Sequence, residues 1–169
     1  MSSRTTVAVL LAALAACAGS HAERRGSQIV GQRLSLSAPG LDGHMVDVAE
    51  QAGKVRVVDF WATWCEPCKD AMPVLDRMAR EFAERGLLVY GLSIDEDPAL
   101  VVEYLRQRPV AFPILLDKDA VRLNALGVSF MPVTLLVDRR GTIRYVHQGW
   151  DERRERLERE EVESLLREP

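Results

Sequence analysis

Residues 57–68 read Val-Val-Asp-Phe-Trp-Ala-Thr-Trp-Cys-Glu-Pro-Cys, VVDFWATWCEPC, and this stretch decides the fold. Its first half belongs to VRVVDFW (55–61), a short, largely apolar run with the character of a strand buried on both faces. Helix signals begin at Cys65. Pro67 stands in the first turn, where its missing N–H costs nothing, and Ala71, Val74, Leu75, Met78, Ala79 and Phe82 recur at helical spacing. Pro73 lies inside that pattern and predicts a kink, and Gly86 ends the helix. The two cysteines thus open a helix directly behind a strand.

That placement gives Cys65 and Cys68 their chemistry. A helix amino end carries free N–H groups and about half a positive charge, which favours a thiolate at Cys65, the outer of the two. Two intervening residues let the sulfurs meet within one turn, and Pro67 stiffens it. The bland alternatives are half of a zinc site or a static disulfide. The first needs two more Cys or His ligands, and none follows at a plausible spacing. The second would close too short a loop to add much stability. A redox dithiol is the better reading. Glu66 puts negative charge between the sulfurs, which opposes the thiolate and favours the disulfide.

Outward from the motif, the chain alternates strands and helices, which argues for an α/β fold. Leu34 and Leu36 alternate with serines, PGLDGH turns, and Met45, Val46 and Val48 resume, so a hairpin is predicted before the first buried strand. LLVYGLSID (87–95) is a second buried strand. Pro98 opens a helix to about Gln107 with Leu100, Val101, Tyr104 and Leu105 on one face, and Pro113 to Leu116 is a short strand. Asp117 or Asp119 caps a helix to Leu126 that Gly127 ends. VTLLVD (133–138) is a third buried strand, the turn Asp138-Arg139-Arg140-Gly141 joins it to 142–148, and 151–168 is a charged helix with Leu157, Val162, Leu165 and Leu166 inward.

The 169 residues suffice for one domain with its own core, and 47% hydrophobic with 28% charged residues is ordinary for a globular chain. Lys and Arg number 22 against 25 Asp and Glu, a net charge of -3, so nothing favours a nucleic-acid backbone as partner. The amino end is different. Arg4 followed by the apolar run VAVLLAALAA (7–16) reads as an export signal over residues 1–16, too short to span a bilayer. Leu14-Ala15-Ala16-Cys17 resembles the lipobox of bacterial lipoproteins, which implies cleavage before Cys17 and acylation of that residue. Ala18, which is not Asp, points by the usual sorting rule to the outer membrane, facing the periplasm. Residues 17–28 then form the lipidated cysteine and a polar tether reaching roughly 18 Å by random-coil scaling. The domain is expected over 29–169.

VVDFWATWCEPC, taken with FMPVTLLVDRRG (130–141), resembles the thioredoxin superfamily, and its extracytoplasmic TlpA/ResA-like branch best, over about residues 29–149. The resemblance implies a central sheet flanked by helices, with an N-terminal hairpin and a helix–strand insertion. It implies a thiol-disulfide oxidoreductase that reduces or exchanges disulfides in extracytoplasmic proteins, some relatives serving cytochrome c maturation. Cys65 and Cys68 would be the redox pair, with no other cofactor and no metal. Pro132 would be the cis-proline facing the dithiol, and the Met131 backbone would pair with the substrate chain by strand addition. Trp64, Glu66 and Pro67 would complete the contact surface. A membrane thiol protein would donate the electrons.

Two positions depart from the branch. Its usual Glu three residues after the second cysteine is Ala71 here, and its usual Asn is Asp59, as in thioredoxin itself. Burying an acid in VRVVDFW without use is costly, so Asp59 is expected to be the acid/base serving Cys68. Other readings are weaker. A copper chaperone on the same fold would space its cysteines by three and add a histidine, for which only His147 is available. A peroxiredoxin-type peroxidase needs Pro and Thr upstream of one cysteine, and Thr63 alone does not supply them. A non-enzymatic binder could dock through 151–169, but thirteen charges in nineteen residues more often mark a solvated face.

Overall fold

A computed structural model describes residues 28–128 and 130–169. The export signal, Cys17 and nearly all of the tether lie outside the described residues. A five-stranded sheet has the order β5-β4-β3-β6-β7, built from β3 (Val55–Trp61), β4 (Leu87–Ser93), β5 (Ile114–Leu116), β6 (Val133–Val137) and β7 (Ile143–Gln148). The β3–β4 and β4–β5 pairs are parallel, while β3–β6 and β6–β7 are antiparallel. A separate hairpin pairs β1 (Ser37–Pro39) with β2 (Met45–Asp47). Thus the expected thioredoxin-like sheet, hairpin and helix–strand insertion are all present.

Every residue of β3 is buried, as its composition requires, because both faces of the sheet are covered. Val55, Val57 and Trp61 face a layer made by α1 (Glu66–Phe82), α2 (Pro98–Gln107) and α4 (Glu152–Arg167). Val58 and Phe60 face the opposite layer, with Leu34, Leu36, Val48 and Leu123 of α3 (Val121–Ala125). Alternation along β3 therefore turns Asp59 toward α1 and α4.

Several details correct the sequence reading. α1 ends at Phe82, with Pro73 inside it, and a 3-10 turn over Ala83–Arg85 separates it from Gly86. β4 ends at Ser93, two residues early, because Asp95 is committed elsewhere. Within α2, Leu100 is exposed while Val101 and Tyr104 pack inward. The α3 region is shorter than expected: Asp117 receives the Arg122 and Leu123 N–H groups, while Asp119 and Ala120 take left-handed backbone conformations. In α4, Leu157 is 41% exposed and Glu158 is fully buried in its place.

Candidate active site

The loop that carries the dithiol is fixed before the helix begins. The Thr63 N–H (3.0 Å) and hydroxyl (2.6 Å) both donate to Asp95, whose carboxylate also accepts the Ser93 hydroxyl at 2.7 Å. The Cys65 N–H donates to the Ala62 carbonyl at 3.2 Å, closing the turn between strand and helix. Cys65 is then the helix cap in extended conformation, with Pro67 in the first turn. Cys65 and Cys68 form a disulfide, their Cα atoms 5.3 Å apart. Cys68 is fully buried and Cys65 is 6% exposed, so the outer residue is itself largely covered.

The Met131–Pro132 peptide is cis. It directly precedes β6, whose first residue Val133 pairs with Phe60 near the end of β3. The antiparallel pairing therefore brings the proline turn and the cysteine loop to one end of the sheet. Pro132 is buried, and its carbonyl accepts the Gly149 N–H at 2.9 Å, which ties the turn to the end of β7. Trp64 and Phe130 project from these two loops, 64% and 57% exposed. Phe130 was missed from sequence, although its place two residues before the proline was a usable signal. Asp95 was missed too, since an acid after a strand carries no signature of a loop clamp.

Pro67 is exposed at this end, as is Glu66, which pairs with Lys69 at 2.6 Å. That contact balances much of the negative charge placed beside Cys65, and both partners are wet enough for salt to screen them.

Asp59 is fully buried. One carboxylate oxygen accepts the Thr134 hydroxyl at 2.9 Å, and the other has no hydrogen-bond partner among the described residues. Burial pushes its pKa up to about 7, against the opposing effect of the Thr134 bond. It stands on the sheet face that carries Cys68 and α1. His147 pairs in register with Thr134, but its ring is held by Glu161 and Arg154. Among the described residues no group of three or more His, Cys, Asp or Glu is placed to hold a metal ion.

Comparison with known proteins agrees with this geometry. The Redoxin family matches residues 26–166. The thiol-disulfide oxidoreductase ResA of Bacillus thuringiensis (strain Al Hakam) is 27% identical over 125 residues, 74% of this chain and 72% of its own. ResA of Bacillus subtilis (strain 168) is 31% identical over 108 residues, 64% of this chain and 60% of its own. Among solved structures, a Chlorobium tepidum protein described as a thiol:disulfide interchange protein DsbE superimposes with a TM-score of 0.77 at 26% identity, covering 81% of this chain and 97% of that one. DsbF of MTB gives a TM-score of 0.69 at 28% identity, covering 78% and 96%. The chain therefore belongs to the redoxin family, in the TlpA/ResA-like part of the thioredoxin superfamily, and is a thiol-disulfide oxidoreductase whose redox group is its own Cys65–Cys68 disulfide.

Proposed function

We propose that this oxidoreductase reduces or exchanges disulfides of exported proteins, apocytochromes c among them, while held at the outer membrane by lipid on Cys17 and supplied with electrons by a membrane thiol protein. The observation that carries the reading is the meeting, at one sheet end, of the Cys65 helix cap and the cis Met131–Pro132 turn, flanked by exposed Trp64 and Phe130. Aromatic rims beside the cis-proline turn suit an unfolded or extended client, whose own main chain can add as a strand along residue 131. Such recognition reads backbone and apolar bulk, so it tolerates many sequences.

In the reducing direction the Cys65 thiolate attacks one sulfur of the client disulfide, forming a mixed disulfide and releasing the other sulfur as a thiolate. The Cys68 thiol then gives its proton to the Asp59 carboxylate and attacks the Cys65 sulfur. The internal disulfide reforms and the second client sulfur leaves as a thiolate. Burial keeps Cys68 from losing its proton to water, which is why an acid with a pKa near neutrality on the same sheet face is suited to the step.

Trapping tests the whole reading. Full-length Cys68→Ser expressed in its cell should accumulate reductant-sensitive adducts on Cys65 with exported cysteine proteins. Those adducts should fractionate with the outer membrane, and Cys17→Ser should move them to the soluble fraction. Adducts no more abundant than in Cys65→Ser/Cys68→Ser would overturn the client reading, and unchanged fractionation would overturn the anchor.

A further inference from the structure

Glu158 is fully buried in α4, yet neither of its carboxylate oxygens has a hydrogen-bond partner among the described residues. It faces the sheet where the register lines up Asp59 of β3, Thr134 of β6 and His147 of β7 in one cross-strand row. Asp59 likewise leaves one oxygen without a partner there. Glu158 is close enough to Asp59 and Thr134 to interact with both, but the single Thr134 hydroxyl proton is given to Asp59. Three carboxylate oxygens from two acids thus lie buried without a partner of their own around the one Thr134 hydroxyl. Two buried carboxylates on either side of one hydroxyl cannot both be charged cheaply, so a proton on one relieves the charge on the other.

We infer that Asp59 and Glu158 form a coupled pair of buried carboxyls around Thr134 behind the dithiol, the two groups together carrying one proton near neutrality, with Glu158 a positioning residue that sets the protonation state of Asp59. This rests on the acid/base reading of Asp59. The pair replaces with a residue of the last helix the acid that is absent at Ala71, and it gives Asp59 a proton reservoir that is not water. Burial and the repulsion of Asp59 push the Glu158 pKa up to about 8, Arg154 and Thr134 oppose this, and Glu161 adds to it. The remaining neighbours are accounted for. Arg154 and Glu161 of α4 engage the His147 ring from β7, and the α1 charges Lys69, Asp76, Arg77, Arg80 and Glu81 pair at the helix surface.

Carbon-13 NMR titration of the side-chain carboxyls, with the disulfide closed so that no thiol titrates, reads the pair directly. In the wild-type chain the Asp59 and Glu158 carbons should each move in two steps common to both, the upper at pH 8 or above. In Glu158→Gln the Asp59 carbon should titrate in one step and lose the upper one. Glu158→Met should do the same and guards against misfolding of the first variant. A single Asp59 step that is identical in wild type and both variants would overturn the pair. Stopped-flow resolution of the Cys65 mixed disulfide by Cys68 across pH 5–9 separates the two ideas. A profile untouched by Asp59→Asn would remove the acid/base role while the NMR result stood. A profile altered by Asp59→Asn, beside an unchanged one-step titration, would keep the role and remove the pair. With both intact, Glu158→Gln loses the upper inflection of the rate profile and keeps the lower one.

Discussion

Asp59 shows how one buried carboxyl makes stability depend on pH. Its folded pKa of about 7 lies well above the ordinary value near 3.8. Below about pH 3 the carboxyl is protonated in both folded and unfolded chains, and burial carries no charge penalty. Between about pH 4 and 7 the unfolded chain releases its proton first, so stability falls as pH rises. Above about pH 8 the folded carboxyl is ionised too, and the loss stays at full size. Asp59→Asn should therefore match wild-type stability near pH 4 and exceed it above pH 8, by up to about 4 kcal/mol at about 1.4 kcal/mol per pK unit. The asparagine carbonyl can still accept the Thr134 hydroxyl. Urea unfolding of the oxidised proteins at pH 4.5, 6.5 and 8.5 measures this, and a stability difference independent of pH would show that Asp59 is ionised in the fold throughout. The disulfide pair Cys65 and Cys68, the cis bond at Pro132 and the buried place of Asp59 were legible, because each is an odd residue in its setting: a spaced thiol pair, a proline before a buried strand, an acid inside one. Glu158 was not legible. Among thirteen charges in its segment nothing marks it, and its burial depends on which strand residues lie opposite.

Elements were read well where one force dominated and less well where two competed. The run VRVVDFW became β3 with the predicted ends, and Pro98 to Gln107 became α2 likewise, its amino end capped by Asp97 on the Ala99 N–H. In α4 the inward stripe is Glu158, Val162, Leu165 and Leu166, at helical spacing, while Leu157 falls one residue outside it. Hydropathy prefers the leucine inside; the polar row Asp59, Thr134 and His147 beneath the helix accommodates the glutamate, and only strand register reveals that row. β4 carries a further constraint that no periodicity could show. A Cβ at Gly91 would sit 2.7 Å from Ile114 Cδ1 on β5, 3.1 Å from Trp61 Nε1 and 3.2 Å from Phe112. The glycine lets the short strand β5 and the Phe112 ring close over Trp61. Gly91→Ala should cost about 1–3 kcal/mol by overpacking and lower the melting temperature by several degrees. Near-UV circular dichroism should change at Trp61, whose ring lies tilted against that of Tyr104 with centroids 5.2 Å apart. A melting temperature within one degree of wild type would mean that β5 yields without strain.

Across the whole molecule the two ends of the sheet are built by opposite means. The end that carries Cys65, Trp64, Phe130 and Pro132 presents apolar surface and is held by few polar clamps, chiefly Asp95 on Thr63. The far end is pinned by arginines that donate to main-chain carbonyls. Arg56, 1% exposed, reaches Val48, Ala49 and Asp138 carbonyls at 2.9 to 3.2 Å and so ties the hairpin segment to the sheet. Arg139, in the turn between β6 and β7, donates to Gly53 at 2.7 Å, Glu168 at 3.1 Å, Leu166 at 3.2 Å and Arg85 at 3.4 Å. One guanidinium thereby joins the start of β3, the end of α1 and the end of α4, three segments that no covalent link brings together. The five-donor planar fork makes this possible, and a lysine in its place could not span the same carbonyls. Some of these bonds are exposed to water, so Arg139→Met should cost about 2 kcal/mol rather than the sum of four charged hydrogen bonds. At this chain length that lowers the melting temperature by about 4–8 °C. The loss should be local in structure, with hydrogen exchange rising first at the last turn of α4 and at Leu166. It should be silent in chemistry, because the dithiol lies at the opposite end: the rate of disulfide exchange and its pH profile should match wild type below the melting transition. A lower exchange rate in folded Arg139→Met would show that docking of the end of α4 reaches the dithiol, and the division of the sheet into a pinned end and a working end would not hold.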